Sequence, residues 1–361
     1  MIATVSTVRD SPDNVQRFVA GNLAAGVDHM FIFLDGEQPE VSERLAGLPC
    51  VTTTVTDAAY WVGGRPGGLN TRQTINANVV RVLLAPFEWA QWLFHIDGDE
   101  CLDIDRERLL ALDSGVRSVR LSTLEAVSTP GGTAEGRFKR LLDPDELSLL
   151  HQLGVIGRPE NWALFNGHTH GKAGIRPSLD YNLHIHAART QDQELIESFG
   201  ADYLRILHYD SASLEEFIRK WGAHVSAGKS TVFGMKRSGI RAAVAAVLTN
   251  QTLNEARRQH YLRELYARTA QDDVDTLGEL GFLVTPPPEW HRHVPAPLPA
   301  DRARSVERLL DLLRAADKGY FRPKTPEQPA DLLKSFNRRL LLTDRHLAKA
   351  IGSCVAASRR G

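Results

Sequence analysis

The first hundred residues repeat one pattern: a short, apolar, strand-like run that ends in a turn carrying an acid. Ile2–Val8 gives way to Asp10, Met30–Leu34 to Asp35-Gly36, and Trp92–Ile96 to Asp97-Gly98-Asp99-Glu100. Such runs describe strands covered on both faces. Between them the spacing turns helical. Val15, Phe18, Val19 and Leu23 share a face over Val15–Ala25, with Gly26 as a stop signal. A short helix is expected over Val41–Ala46 and a longer one over Thr71–Leu84, before Pro86. The β-rich run Cys50–Thr56 and the loop Gly63–Gly68 lie between those two helices. The alternation predicts an α/β fold: a Rossmann-like, mostly parallel sheet with helices on both faces. Ligands of such sheets bind beyond the carboxyl ends of the strands, where Asp10, Asp35, Asp97 and Asp99 all fall.

The remainder is less regular. Val116–Leu121 and Tyr203–Leu207 read as strands, and Gly167–Ile185 as short strands and turns. Helices are expected over Leu214–Val225, Ile240–Val247, Leu253–Ala267, Arg304–Ala315 and Leu332–Ala350, with proline-rich stretches at Pro286–Pro288 and Pro295–Pro299. The expected division is a sheet domain over residues 1–212 and a helical C-terminal region over 213–361, with a stiff linker near 286–299. With Lys+Arg 43 against Asp+Glu 44, the 361-residue chain lacks the basic balance of a nucleic-acid binder. Three scattered cysteines form no CxxC pair and argue against a disulfide framework. No run approaches the roughly 18 apolar residues that span a bilayer, and MIATVSTVRD is not a signal peptide. The expected location is cytoplasmic.

Two carboxylates on one tight turn, Asp97 and Asp99, suit a hard divalent cation whose shell a diphosphate completes. An EF-hand does not fit, because Leu102 stands at the turn glycine and Arg108 at the bidentate acid. Asp35 ends the second strand, and Arg9 follows the first within reach of a phosphate or a base. Arg72 and Asn76 are four apart on one helix and share a face, whereas Arg81 reads as solvated. Lys172 and Arg176 point the same way in an alternating strand. His168-x-His170, His184-x-His186 and His291-x-His293 offer a rival zinc reading, although no HExxH accompanies them and 13 histidines produce chance pairs.

The segments TVRDSPDNVQRFVAGNLAAGVDHMFIFLDG, NTRQTINANVV and WLFHIDGDECLDI resemble the N-terminal half of a GT-A glycosyltransferase, of the bacterial family-2-like kind with a DxD motif. NGHTHGKAGIRP and LRILHYDSASLEEFIRK resemble later pieces of that group, so the resemblance covers about residues 1–225. It departs at Asp10–Asn14, where the family has Asn-Glu, and at Cys101, where an aromatic is usual. The resemblance implies transfer of a sugar from a nucleotide-sugar, UDP-linked by expectation, to a hydroxyl acceptor. It implies Mn²⁺ or Mg²⁺ on Asp99, with Asp97 on the ribose or the metal and His208 closing over metal and diphosphate. It places Asp35 near the nucleobase or ribose and favours Lys172 over Arg176 as a functional cation. Inversion at the anomeric carbon would require a carboxylate base; Glu125 and then Asp180 are the candidates.

The basic stretch Lys334–Arg360 carries an apolar stripe from Leu332 to Ile351. Such a helix packs on protein or lies on anionic lipid, so peripheral contact with the inner membrane face is a second expectation. A glycan or glycolipid would be the acceptor, in surface polysaccharide synthesis. The alternatives are a sugar-phosphate nucleotidyltransferase, although Arg9–Pro12 lacks a Gly-rich phosphate loop, and a non-catalytic carbohydrate-binding or scaffold protein.

Overall fold

The computed structural model describes residues 1–132, 136–226, 235–324 and 328–357. The chain forms two compact units, each built from separated segments. Met1–Leu121, Gly171–Arg205 and Pro288–Gly361 make the first, and Ser122–His170 and Ile206–Pro287 the second. Numbering below runs along the chain.

The first unit is the expected α/β fold. β1 (Ile2–Val8), β2 (His29–Leu34), β3 (Val51–Val55) and β4 (Trp92–His95) are parallel and lie in the order β4-β1-β2-β3. α1 (Pro12–Ala24) leads from β1 to β2, α2 (Pro39–Leu45) from β2 to β3, and α3 (Leu69–Leu84) from β3 back to β4. The first two crossovers step outward and the third steps back past β1. Right-handed crossovers therefore put α1 and α2 on one face and α3 on the other. Ser11 caps α1, its Oγ accepting from the Asn14 N–H at 3.3 Å, and Pro12 starts the helix. Gly26, at φ +103°, ends it in the left-handed region.

β5 (Glu100–Ile104) follows the acidic turn directly and leads to α4 (Arg106–Leu110). Beyond β4 the sheet turns antiparallel. β8 (Lys172–Ile175) pairs with β4, and Ser118–Leu121 of β6 (Ser118–Ala126) pairs with β8. β9 (Asn182–Leu183) and β10 (Ala188–Arg189) form a separate two-stranded ribbon. β6, and β11 (Phe199–His208), each start in the first unit and finish in the second. The expected strand Val116–Leu121 is thus too short, and Glu125 lies inside β6 rather than beyond it.

The C-terminal helices depart most from expectation. α11 (Ala300–Arg314), α12 (Pro329–Leu340) and α13 (Arg345–Ala357) belong to the first unit. Their stripe of Leu309, Leu313, Leu333, Phe336, Leu347 and Ile351 joins the core that holds α3 and the Ala3, Val5, Phe31 and Phe33 face of the sheet. Every residue of α3 from Arg72 to Leu84 is buried, because the sheet covers one side and α11 another. The region from 213 onward is therefore shared between the two units. The apolar stripe is occupied by packing within this core. No helix among the described residues is long and apolar enough to cross a membrane. The single helix expected over Leu332–Ala350 is two, because Asp344 caps a new start, its Oδ1 accepting from the Leu347 N–H at 3.0 Å.

In the second unit, β7 (Phe138–Lys139) pairs antiparallel with the end of β6 and with β12 (Leu283–Val284). One apolar cluster joins α5 (Pro144–Gln152), α6 (Asn161–Leu164) and α10 (Val274–Glu279) through Leu147, Leu150, Leu164 and Leu277. Another joins α7 (Leu214–Ser226), α8 (Met235–Thr249) and α9 (Glu255–Thr269) through Phe217, Trp221, Val244, Leu262 and Tyr266.

Candidate functional site

In the first unit, strand order sets the location. β1 leads to β2 on one side and pairs with β4 on the other, so the order reverses beside β1. The crevice beyond the carboxyl ends of β1 and β4 is the topological switch point. The turn Asp97–Glu100 sits there, closed by the Glu100 N–H donating to the Asp97 carbonyl at 3.1 Å. Gly98 lies against the end of β1, where an added Cβ would meet Val8 methyls at 3.5 Å.

The acids of this region are held by cations and amides. Arg72, on the first turn of α3, grips Asp35 with Nε and Nη2 at 2.9 and 2.7 Å, and its Nη1 donates to the carbonyls of Pro66 and Gly67. Arg65 donates to the same Asp35 Oδ1 at 2.9 Å. Burial alone would raise the Asp35 pKa; the two guanidinium groups outweigh it and hold the carboxyl below its usual range. Gln73, next on α3, donates to Asp97 Oδ1 at 2.6 Å. Lys172, wholly buried at the start of β8, bonds Asp97 Oδ2 and lies 3.2 Å from Glu100 Oε2. Glu100 in turn accepts the Asp97 N–H at 2.7 Å. Lys172 owes its place to Gly171: at φ +69°, with Leu121 O only 2.1 Å from any added Cβ, only glycine lays β8 against β6.

The expected donor-site residues are therefore partly united and partly diverted. Asp35 with Arg72, and Asp97 with Lys172, form direct pairs around one end of α3. Asp99 lies on the same turn as Asp97. Arg9 is exposed beyond the end of β1. Asn76 is not a ligand contact: it is fully buried, donates to Thr7 Oγ1 at 2.9 Å and accepts from Tyr60 OH at 2.7 Å. Arg72 and Lys172 meet carboxylates rather than open space. Arg81, read as solvated, is 4% exposed and bonds Asp180 at 3.0 Å. Eight residues of helix, about 12 Å, separate that pair from Gln73, so Asp180 is not placed as a base for this crevice. Arg65, Gln73 and Glu100 were missed, although all three stand inside motifs the sequence marks: the Gly-rich loop, the α3 start and the acidic turn.

The second unit holds a different buried cluster. Glu125 accepts from the Asn166 and Gly167 N–H groups at 2.7 and 2.6 Å, and Lys139 Nζ lies 3.0 Å from it. His208 Nδ1 lies 3.4 Å from Glu125 Oε2, and an added Cβ at Gly167 would sit 1.9 Å from the His208 ring. Burial would raise the Glu125 pKa, but Lys139 and His208 hold it down to about 2. A carboxyl so weakly basic and so fully bonded is a poor proton acceptor, which corrects its expected role as the base. His208 belongs to this cluster. Lys139 also bonds Asp272 at 2.8 Å and the Leu164 carbonyl at 2.9 Å. The His291-x-His293 pair, in the first unit, meets carboxylates: His291 Nε2 is 3.0 Å from Asp103 and His293 Nε2 is 3.1 Å from Asp28.

No family model matches the sequence. No curated protein matches it either. Among solved structures, the chain is similar to one from Bacillus anthracis described as a glucose-1-phosphate thymidylyltransferase (13% identity, TM-score 0.23, 36% of this chain and 56% of that one). It is also similar to HddC from Yersinia pseudotuberculosis (11%, 0.25, 49% and 77%). A third likeness is to a mannose-1-phosphate geranyltransferase from Thermus thermophilus (10%, 0.25, 49% and 57%). The chain thus spans little more than half of the first and third of these proteins. None of the three is named as a glycosyltransferase, and at these TM-scores the likenesses carry no argument about activity.

Proposed function

We propose that the first unit binds a nucleotide-linked sugar across the carboxyl ends of β1, β2 and β4, and that the chain is a metal-dependent transferase moving that sugar to a hydroxyl acceptor. The observation that carries this reading is the Asp97–Glu100 turn at the switch point, tied to the start of α3 through Gln73. Asp35, fixed by two guanidinium groups, is the acid we assign to a ribose or base. Carboxylates are the right donors for Mn²⁺ or Mg²⁺, so Asp99, with Asp97, fits as the holder of the ion. Such a cation would neutralise charge on a departing diphosphate. Lys172 keeps Asp97 and Glu100 from repelling one another and fixes the turn; Asp97 would then share its charge between Lys172 and the ion.

The second reading is sugar-phosphate nucleotidyl transfer. The absence of glycines after β1, where Arg9-Asp10-Ser11-Pro12 stands, weighs against it. Thermal shifts with nucleoside diphosphates and triphosphates, with and without Mn²⁺, test both. The expected result is stabilisation by one nucleoside diphosphate only with metal, lost in Asp99→Ala. Retention of the shift in that variant would refute the metal assignment. Pyrophosphate release from a nucleoside triphosphate and a sugar 1-phosphate would establish the second reading instead.

A further inference from the structure

The second unit contains a cavity of about 420 Å³, within the usual range of small-molecule sites. Its walls come from α6, the loop after α5, α8, and the segment from the end of α9 to α10. Val155, Ile156, Leu164, Ile240 and Leu277 give it an apolar side, and Lys236, Arg268, Asp272 and Asp273 give it charge. The two acids are already engaged. Asp272 bonds Lys139 and the Ser128 N–H, each at 2.8 Å, and Asp273 caps α10 through Thr276. Arg268 faces Glu264 at 3.4 Å.

Lys236 differs. Its ammonium donates only to carbonyls, that of Phe165 at 2.9 Å and those of Trp162 and Ala163 at 3.4 Å. Among the described residues no carboxylate stands within ion-pair distance of it. Buried or half-buried charges are ordinarily paired; the carboxylates whose charge reaches Lys236, those of Glu125, Asp210 and Asp272, lie beyond contact and are each bonded to other cations, so its ammonium has no direct ion-pair partner among the described residues. We propose that this cavity is a binding site for a small organic anion, with the acidic head on Lys236 and an apolar body against Ile156, Ile240 and Leu277. Loss of hydration lowers the Lys236 pKa, and a bound anion would reverse that penalty. The site is independent of the nucleotide reading, since every residue in it belongs to the second unit.

Calorimetric titration of the full chain with decanoate, decyl phosphate, decylammonium, decanol and acetate tests the proposal. Decanoate or decyl phosphate should bind, and the stronger of the two identifies a carboxylate or a phosphate head. Decylammonium, decanol and acetate should bind at least about tenfold more weakly, the scale of one charge-assisted hydrogen bond or of the apolar burial lost. Lys236→Gln should cost about tenfold and Lys236→Arg should restore much of it. Gly239 provides a variant that leaves the lysine in place: it lines the cavity, and a Cβ added there meets nothing within 4 Å. Gly239→Leu should fill the space and abolish binding without lowering the melting temperature. Equal binding of decanol and decanoate, binding undiminished in Gly239→Leu, or no binding by either anion would overturn it.

Discussion

Arg72, Lys172 and Lys139 are cations whose charge is answered inside the protein, each by carboxylates from another element. Removing one partner of such a set leaves the other buried and unpaired, at about 3–5 kcal/mol. Glu125 gives this a pH signature. Its carboxyl is held at about 2 in the folded chain, below the roughly 4.3 of an unfolded glutamate. Its contribution is therefore complete above about pH 4.3 and is lost as pH falls through that window towards 2, on the order of 3 kcal/mol in all. Glu125→Gln should be less stable at pH 6 and should flatten the loss between pH 4 and pH 2.5, as measured by urea unfolding at each pH. A parallel loss in both proteins would show that other groups govern acid stability. The acids themselves were legible in the sequence, because a strand end followed by Asp is a local signal. Their partners were not. Lys172 stands 75 residues from Asp97, and nothing local in Gly171-Lys172-Ala173 says which acid it will meet.

At the level of the element, α3 explains most of what the periodicity concealed. Asn76, Asn78 and Arg81 interrupt its apolar positions; the sequence suggests a ligand-facing role for Asn76 and a solvated one for Arg81. Each is instead buried against a designated partner: Thr7 and Tyr60, the Leu183 backbone, and Asp180. A helix enclosed on all sides by protein has no period to reveal. Its enclosure depends on α11–α13, and the basic amphipathic pattern of Lys334–Arg360, a stretch that includes α13, was also compatible with lipid. Phe336, 3% exposed within that core, discriminates between the two. Phe336→Ala should cost about 3–5 kcal/mol and lower the urea midpoint. The intact chain should stay at the bottom of a flotation gradient with anionic vesicles. Flotation of the intact chain, with unchanged stability in Phe336→Ala, would return the stripe to the membrane.

For the whole molecule, chain order and spatial order part company. The sheet of the first unit is nearly complete by residue 121, which is why a domain over 1–212 is the natural reading of composition and pattern. Yet that span also contains 122–170, which belongs to the second unit, and it omits Pro288–Gly361, which supplies α11–α13. The partnership of α3 with α11 joins residues more than two hundred positions apart, a distance over which no periodicity carries. The consequence is a prediction about fragments. A protein cut after residue 212 retains β1–β4 and α3 but loses Leu309, Leu313, Phe336, Leu347 and Ile351 from the shared core. Each lost side chain withdraws burial worth roughly 1.5–3 kcal/mol, and a domain's net stability is only about 5–15 kcal/mol. The 1–212 fragment should therefore show no cooperative urea transition and should bind a hydrophobic dye strongly, while the full chain unfolds cooperatively and binds little. A sharp transition in the fragment would mean that the sheet is self-sufficient and that α11–α13 are an appendage.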